Sequence, residues 1–193
     1  MARPRSFAED EVLDAAVKRF WRHGYAATSV RDLGDAMGLG QASFYNAFGD
    51  KQALFERAFD RYLEGNMRDR IRRLEASLPP RRAIEAFLAE IVERSLGDAE
   101  RCGCLLVNTA LEVAPHDARV ADMVAARFRE LEAFFRRCAR AAQKAGSITR
   151  QRKAADIAGL MLSTVIGLRV LARIRPERAL LDGIVRQAIA GLD

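Results

Sequence analysis

Three cysteines, five prolines and a single tryptophan among 193 residues set the first limits on this chain. Cys102, Cys104 and Cys138 cannot all pair, and the N-terminus lacks the apolar core of a signal peptide. Together these absences point to a reduced, cytoplasmic setting. The longest uncharged apolar stretch, Ile157 to Leu168, falls short of the roughly 20 residues that cross a bilayer, so no membrane segment is expected. Catalytic signatures are missing too. There is no glycine-rich phosphate loop, no Ser-x-x-Lys and no His-Glu-x-x-His, and His23 and His116 have no partner at readable spacing. Cys102 and Cys104 with only His116 downstream lack a fourth metal ligand. Neither an enzyme, nor a cofactor, nor a metal is expected.

What the chain does have is positive charge, +6 overall with a pI near 9.7, which permits a polyanionic partner. Its distribution does not mark where such a partner would bind. Residues 1–50 carry six bases against seven acids. Arg127 to Lys153 holds nine bases with only Glu130 and Glu132, which reads as a solvated helix face.

Apolar residues recur at three- and four-residue spacing almost throughout, and strand alternation is nearly absent, so the fold class is all-α with about nine helices. Ser6 and Glu9 form a capping box for a first helix that ends at Gly24. Thr28 or Ser29 caps a short second helix ended by Gly38, and a third fits Gln41 to Phe48. A fourth runs from Lys51 to about Leu74, and Pro79 with Pro80 marks a boundary. Later helices begin after Pro80, near Cys104 and at Asp117. Residues 154–174 are apolar on almost every face, and Pro176 opens a last helix of similar character. Two such helices expose more apolar surface than one subunit covers, so a homodimer through about 154–174 and 177–191 is expected, most simply as a two-fold four-helix bundle.

Residues 28–48, TSVRDLGDAMGLGQASFYNAF, read as a short helix, a glycine turn and a second short helix. Val30, Leu33, Met37, Leu39, Phe44 and Phe48 are placed to pack inward. Gln41, Ala42, Ser43, Tyr45 and Asn46 are left facing out, small or hydrogen-bonding and uncharged. Gln and Asn can pair with adenine, Ala can touch a thymine methyl and Ser can bond several bases in the major groove. Tyr45, Thr28 and Lys51 suit phosphate contacts. The competing reading is a plain three-helix core whose polar residues are merely solvated.

The stretch from about Phe7 to Phe59 resembles the N-terminal domain of TetR/AcrR-family repressors. The likeness rests on LDAAVKRFWRHGY, TSVRDL, the turn AMGLG, the block ASFYNAF and the helix start DKQALF. It implies a helix-turn-helix head over residues 6–66 and a ligand-binding and dimerisation domain over 67–193. By position it places Thr28, Arg31, Gln41, Ala42, Ser43, Tyr45, Asn46 and Lys51 where members of the family touch double-stranded operator DNA. Gly40 departs from the pattern, since a serine or threonine is usual there.

In ERCGCLLVN, Cys104 stands at a helix start whose dipole and neighbouring bases would favour a thiolate, which makes Cys102 and Cys104 candidates for sensing an electrophile. A structural role as small residues competes with that reading. The sequence as a whole points to a repressor released from a palindromic operator by a small-molecule or reactive-species inducer. The rival is a helical interaction protein whose head no longer recognises DNA.

Overall fold

The computed structural model describes residues 9–193, so Ser6 and its capping box lie outside the described residues. Ten helices follow in order: α1 (Glu9–His23), α2 (Val30–Met37), α3 (Gln41–Phe48), α4 (Lys51–Leu63), α5 (Asp69–Ser77), α6 (Pro80–Leu96), α7 (Leu105–Glu112), α8 (Ala118–Lys144), α9 (Ala154–Ile174) and α10 (Arg178–Ala190). Because α4 and α5 are two limbs of one rod joined by a π-turn over Glu64–Arg68, the described residues form nine helical rods. No strand occurs among them. Two boundaries differ from expectation. The fourth helix continues past Leu74 to Ser77, and α10 starts at Arg178, with Glu177 rather than Pro176 at its cap.

Each short helix of the head forms for a local reason. Ser29 accepts the Asp32 N–H while Asp32 accepts from the Ser29 backbone, so α2 begins on a complete capping box. Gly38 ends it in the left-handed region. Gly34 is buried where α2 meets the turn: a Cβ there would stand 2.7 Å from the Leu39 carbonyl oxygen, closer than any side chain tolerates. Asp50 caps α4 through the Ala53 N–H. Phe20, Phe44, Phe55 and Phe59 are fully buried between α1, α3 and α4, with Phe20 and Phe55 edge to face at 5.0 Å.

One apolar core runs without a break from Val12 in α1 to Leu192, so the head is not an isolated module. Polar contacts from several segments fasten it to the body. The Trp21 indole N–H donates to the Gly103 carbonyl (3.1 Å), and Arg22 grips Glu100 with two bonds of 2.6 Å. Tyr62 of α4 accepts the Leu105 N–H (3.3 Å), and Glu112 at the end of α7 accepts the Ala26 N–H (3.2 Å). Glu112 also explains Gly24, which takes φ +78 and where an added Cβ would fall 2.6 Å from its carboxylate.

By length and composition α9 could cross a membrane, but it packs against α6, α8 and α10 as a core helix. Its other face is open. Leu160, Val170 and Ile174 are exposed, nothing stands near Gly159 or Gly167, and only Leu181 and Ala188 of α10 are buried.

Candidate nucleic-acid interface

The second short helix of the head turns its residues as its sequence expects. Phe44 and Phe48 are buried, 5.8 Å apart, and root α3 in the core. Gln41, Ala42, Ser43, Tyr45 and Asn46 all lie exposed along the opposite side. Tyr45 is held edge to face against Phe44 at 5.5 Å yet stays 45% exposed, an aromatic residue fixed at its base and free at its edge. Gly40 gives α3 no side-chain cap, so the amides of its first turn are offered outward. Arg31 is exposed on α2.

Two expected contact residues are placed otherwise. Thr28 is fully buried, and its hydroxyl donates to the Gly24 carbonyl at 2.7 Å. Of the two candidate caps of α2, Thr28 and Ser29, it is Ser29 that holds the position, and it is exposed. Lys51 is half-buried, with its ammonium over the Tyr25 ring (4.2 Å) and donating to the carbonyls of Tyr25 and Thr28, both at 2.9 Å. It therefore bolts the start of α4 to the α1–α2 loop, and burial pulls its pKa below the ordinary lysine value while Glu112 opposes that shift. Three donors on an ammonium leave one uncommitted.

The near-neutral charge of the head is resolved by pairing. Arg57 binds Glu9, Arg61 binds Asp10 and Asp14, and Arg19 binds Asp32. The Asp14 carboxyl is held below the usual carboxylate range, chiefly by its bond from Arg61. Part of the basic run in α8 is likewise paired: Arg127 meets Asp60 and Glu130, and Arg137 meets Glu75.

Behind the head, Tyr62, Asn66 and Met67 of the α4–α5 rod, Arg70, Phe87, Cys104, Phe128 and Arg169 wall a small apolar cavity of about 40 Å³. Cys104 is half-buried there, its Sγ 3.8 Å from the Tyr62 hydroxyl that donates to it. Burial pushes the Tyr62 phenol up, so it is a neutral donor. Cys102 stays outside the cavity lining. Burial and then the Asp98 and Glu100 carboxylates push its thiol up, which is the reverse of what a reactive cysteine needs. Cys138 is core, its thiol pushed up to about 11 by burial. Sequence reasoning missed Arg70 and Arg169, because no motif marks a residue whose partners lie on other helices.

A braced pair of short helices, the second showing an uncharged hydrogen-bonding face, defines a helix-turn-helix protein. Comparison with known proteins agrees along the whole chain. The profile of bacterial regulatory proteins of the tetR family matches residues 12–58, and a tetracyclin repressor-like C-terminal domain matches residues 80–189. The HTH-type transcriptional regulator YezE of Bacillus subtilis is 30% identical over 195 residues, covering 100% of both chains. The repressor ComR of Escherichia coli is 29% identical over 89% of this chain and 82% of that protein. Among solved structures, the TetR family regulator CifR, as a cysteine mutant complexed with 26-bp operator DNA, superposes with a TM-score of 0.88 at 31% identity, covering 99% of this chain and 100% of that one. The chain belongs to the tetR family and is a DNA-binding transcriptional regulator.

Proposed function

We propose that this protein is a cytoplasmic repressor that grips a palindromic operator as a homodimer and lets go when a small molecule or electrophile occupies the cavity behind its head. The reading divides the chain into a DNA-binding domain over residues 6–66 and a regulatory domain over 67–193. The observation that carries it is α3, whose outward residues are all uncharged, exposed and free of internal bonds beside a root of buried phenylalanines. Gln41, Ala42, Ser43 and Asn46 read base edges in the major groove, while Arg31, Tyr45 and the uncommitted proton of Lys51 hold phosphates.

The dimer forms through α9 and α10. Leu160, Leu180 and Ile184 line an open groove between them, and the two glycines of α9 let a second backbone approach. Two heads so joined address successive major grooves about 34–36 Å apart.

Release follows by linkage: a ligand that prefers a head spacing incompatible with that interval lowers operator affinity. Two routes connect cavity and head. The α4–α5 rod lends Asn66 and Met67 to the cavity at its π-turn and Lys51 to the head. Helix α7 lends Leu106 and Val107 to the cavity and Glu112 to Ala26. An electrophile would act on Cys104, and unchanged DNA release by Cys104→Ser under hypochlorite would leave that thiol structural.

Selection of bound duplexes from a random pool tests the function. A repressor of this kind recovers one short palindrome, bound with a steep loss of affinity as salt rises. An interaction protein that does not use DNA recovers no common sequence.

A further inference from the structure

The cavity behind the head is lined mostly by apolar side chains, and two buried arginine N–H groups of its lining residues have no acceptor. Arg70 is the most deeply buried charged residue described, with its side chain only 5% exposed. Its Nε lies 3.0 Å from Glu90, and its guanidinium stacks 5.2 Å from the Phe87 ring centroid, but its Nη2 is buried and finds no acceptor in the protein. Arg169 reaches the same cavity from α9. Its Nη1 bonds the Ser95 hydroxyl (3.1 Å), while its Nε is buried and unpartnered.

Arg94 and Arg169 both act on Arg70, and the one carboxylate that opposes them there is Glu90, which Arg73 also claims with two bonds of 2.7 and 2.8 Å. Burial, then the like charges of Arg94 and Arg169, push the Arg70 guanidinium down to about 10, so it remains charged at neutral pH. A buried cation and two orphaned N–H groups cost free energy unless an acceptor joins them. Tyr62 and Asn66 add further polar groups to the lining, and Leu106, Val107, Leu131 and Val165 supply apolar walls.

We propose that this cavity binds a small monocarboxylate with an apolar body, its oxygens bridging Arg70 Nη2 and Arg169 Nε. The inference rests on the reading of residues 67–193 as an inducer-binding domain and names the chemistry of the inducer. A planar carboxylate matches guanidinium donors, and it would neutralise the excess charge that the protein leaves there. The space of about 40 Å³ admits the carboxylate group alone. The apolar body therefore enters by displacing Met67 and the half-buried Phe128, next to the π-turn that links head and body. The bound anion would tie α5 to α9, the connector of the head to a helix of the dimer face.

The test is calorimetric titration of the full-length dimer, without DNA and at constant ionic strength, using acetate, butyrate, octanoate and benzoate against benzamide and benzylamine. The expected result is binding of at least one carboxylate at millimolar concentration or below, with benzamide and benzylamine about tenfold weaker or worse. Arg169→Gln, with an unchanged melting temperature, should lose about tenfold in carboxylate affinity. Arg70→Met should lose as much, and its thermal melt separates lost binding from lost fold. Equal binding of benzoate and benzamide, full affinity in Arg169→Gln, or no carboxylate bound at all would overturn the proposal. Because no DNA is present, these outcomes do not depend on operator release. A neutral inducer that frees the operator would sink this inference and leave the repressor reading standing.

Discussion

Helices α2 and α3 are both eight residues long, yet the chain treats them in opposite ways. At its start α2 has a complete capping box and at its end a left-handed glycine, and its one buried glycine touches the turn. At the start of α3 stands Gly40, with no side-chain bond to any of the first amides. The contrast separates holding from reading. The helix that braces has its first and last amides capped internally, whereas the helix proposed to meet DNA keeps its first amides and its outward side chains uncommitted. Its order comes from its root instead, two phenylalanines buried in the core.

If that division is right, the root of α3 matters most. Phe44→Ala should cost about 3–5 kcal/mol in urea denaturation, since it empties a fully buried site where α3 meets α4. Next in size is the cap of α2. Ser29→Ala should cost about 1 kcal/mol, measured the same way. The same cap should be acid-sensitive. The Ser29 hydroxyl, then its backbone N–H, hold the Asp32 carboxyl below the usual range. A depressed carboxylate stabilises above its unfolded value of about 4 and loses that contribution as pH falls through the folded value. Asp32→Asn should therefore abolish one acid-dependent step of the stability curve. α3 has no ionisable cap and should contribute none. The smallest effect is at Gly40. Gly40→Ser should stabilise the fold by a few tenths of a kcal/mol in thermal melts, while lowering operator affinity as its hydroxyl takes the amides that α3 offers.

The head was legible because its signals are local. Periodicity and glycine placement located α1, α2 and α3, and the inward and outward residues of α3 fall as the pattern required. Thr28 and Lys51 show what spacing leaves out: it tells which residues lie near a helix start, but not which bonds the surrounding loop makes to them. Thr28 turns its hydroxyl to Gly24, and Lys51 is held by two carbonyls that lie more than twenty residues earlier in the chain. The body was legible only in outline. Its helices follow from apolar stripes, whereas the π-turn at Glu64–Arg68, the Glu112 joint and the paired arginines of the cavity arise from contacts between distant segments. An apolar pattern gives a helix its buried side but not the neighbour it will meet there.

The separation of holding from reading is tested most directly by repeating the selection of bound duplexes with Gln41→Ala/Asn46→Ala. Both side chains are exposed, so the variant should melt with the parent protein and keep salt-dependent binding to DNA. The sequences it recovers should lose their preference at the base pairs those residues meet. Recovery of the same palindrome with the same preference at every position would contradict the account.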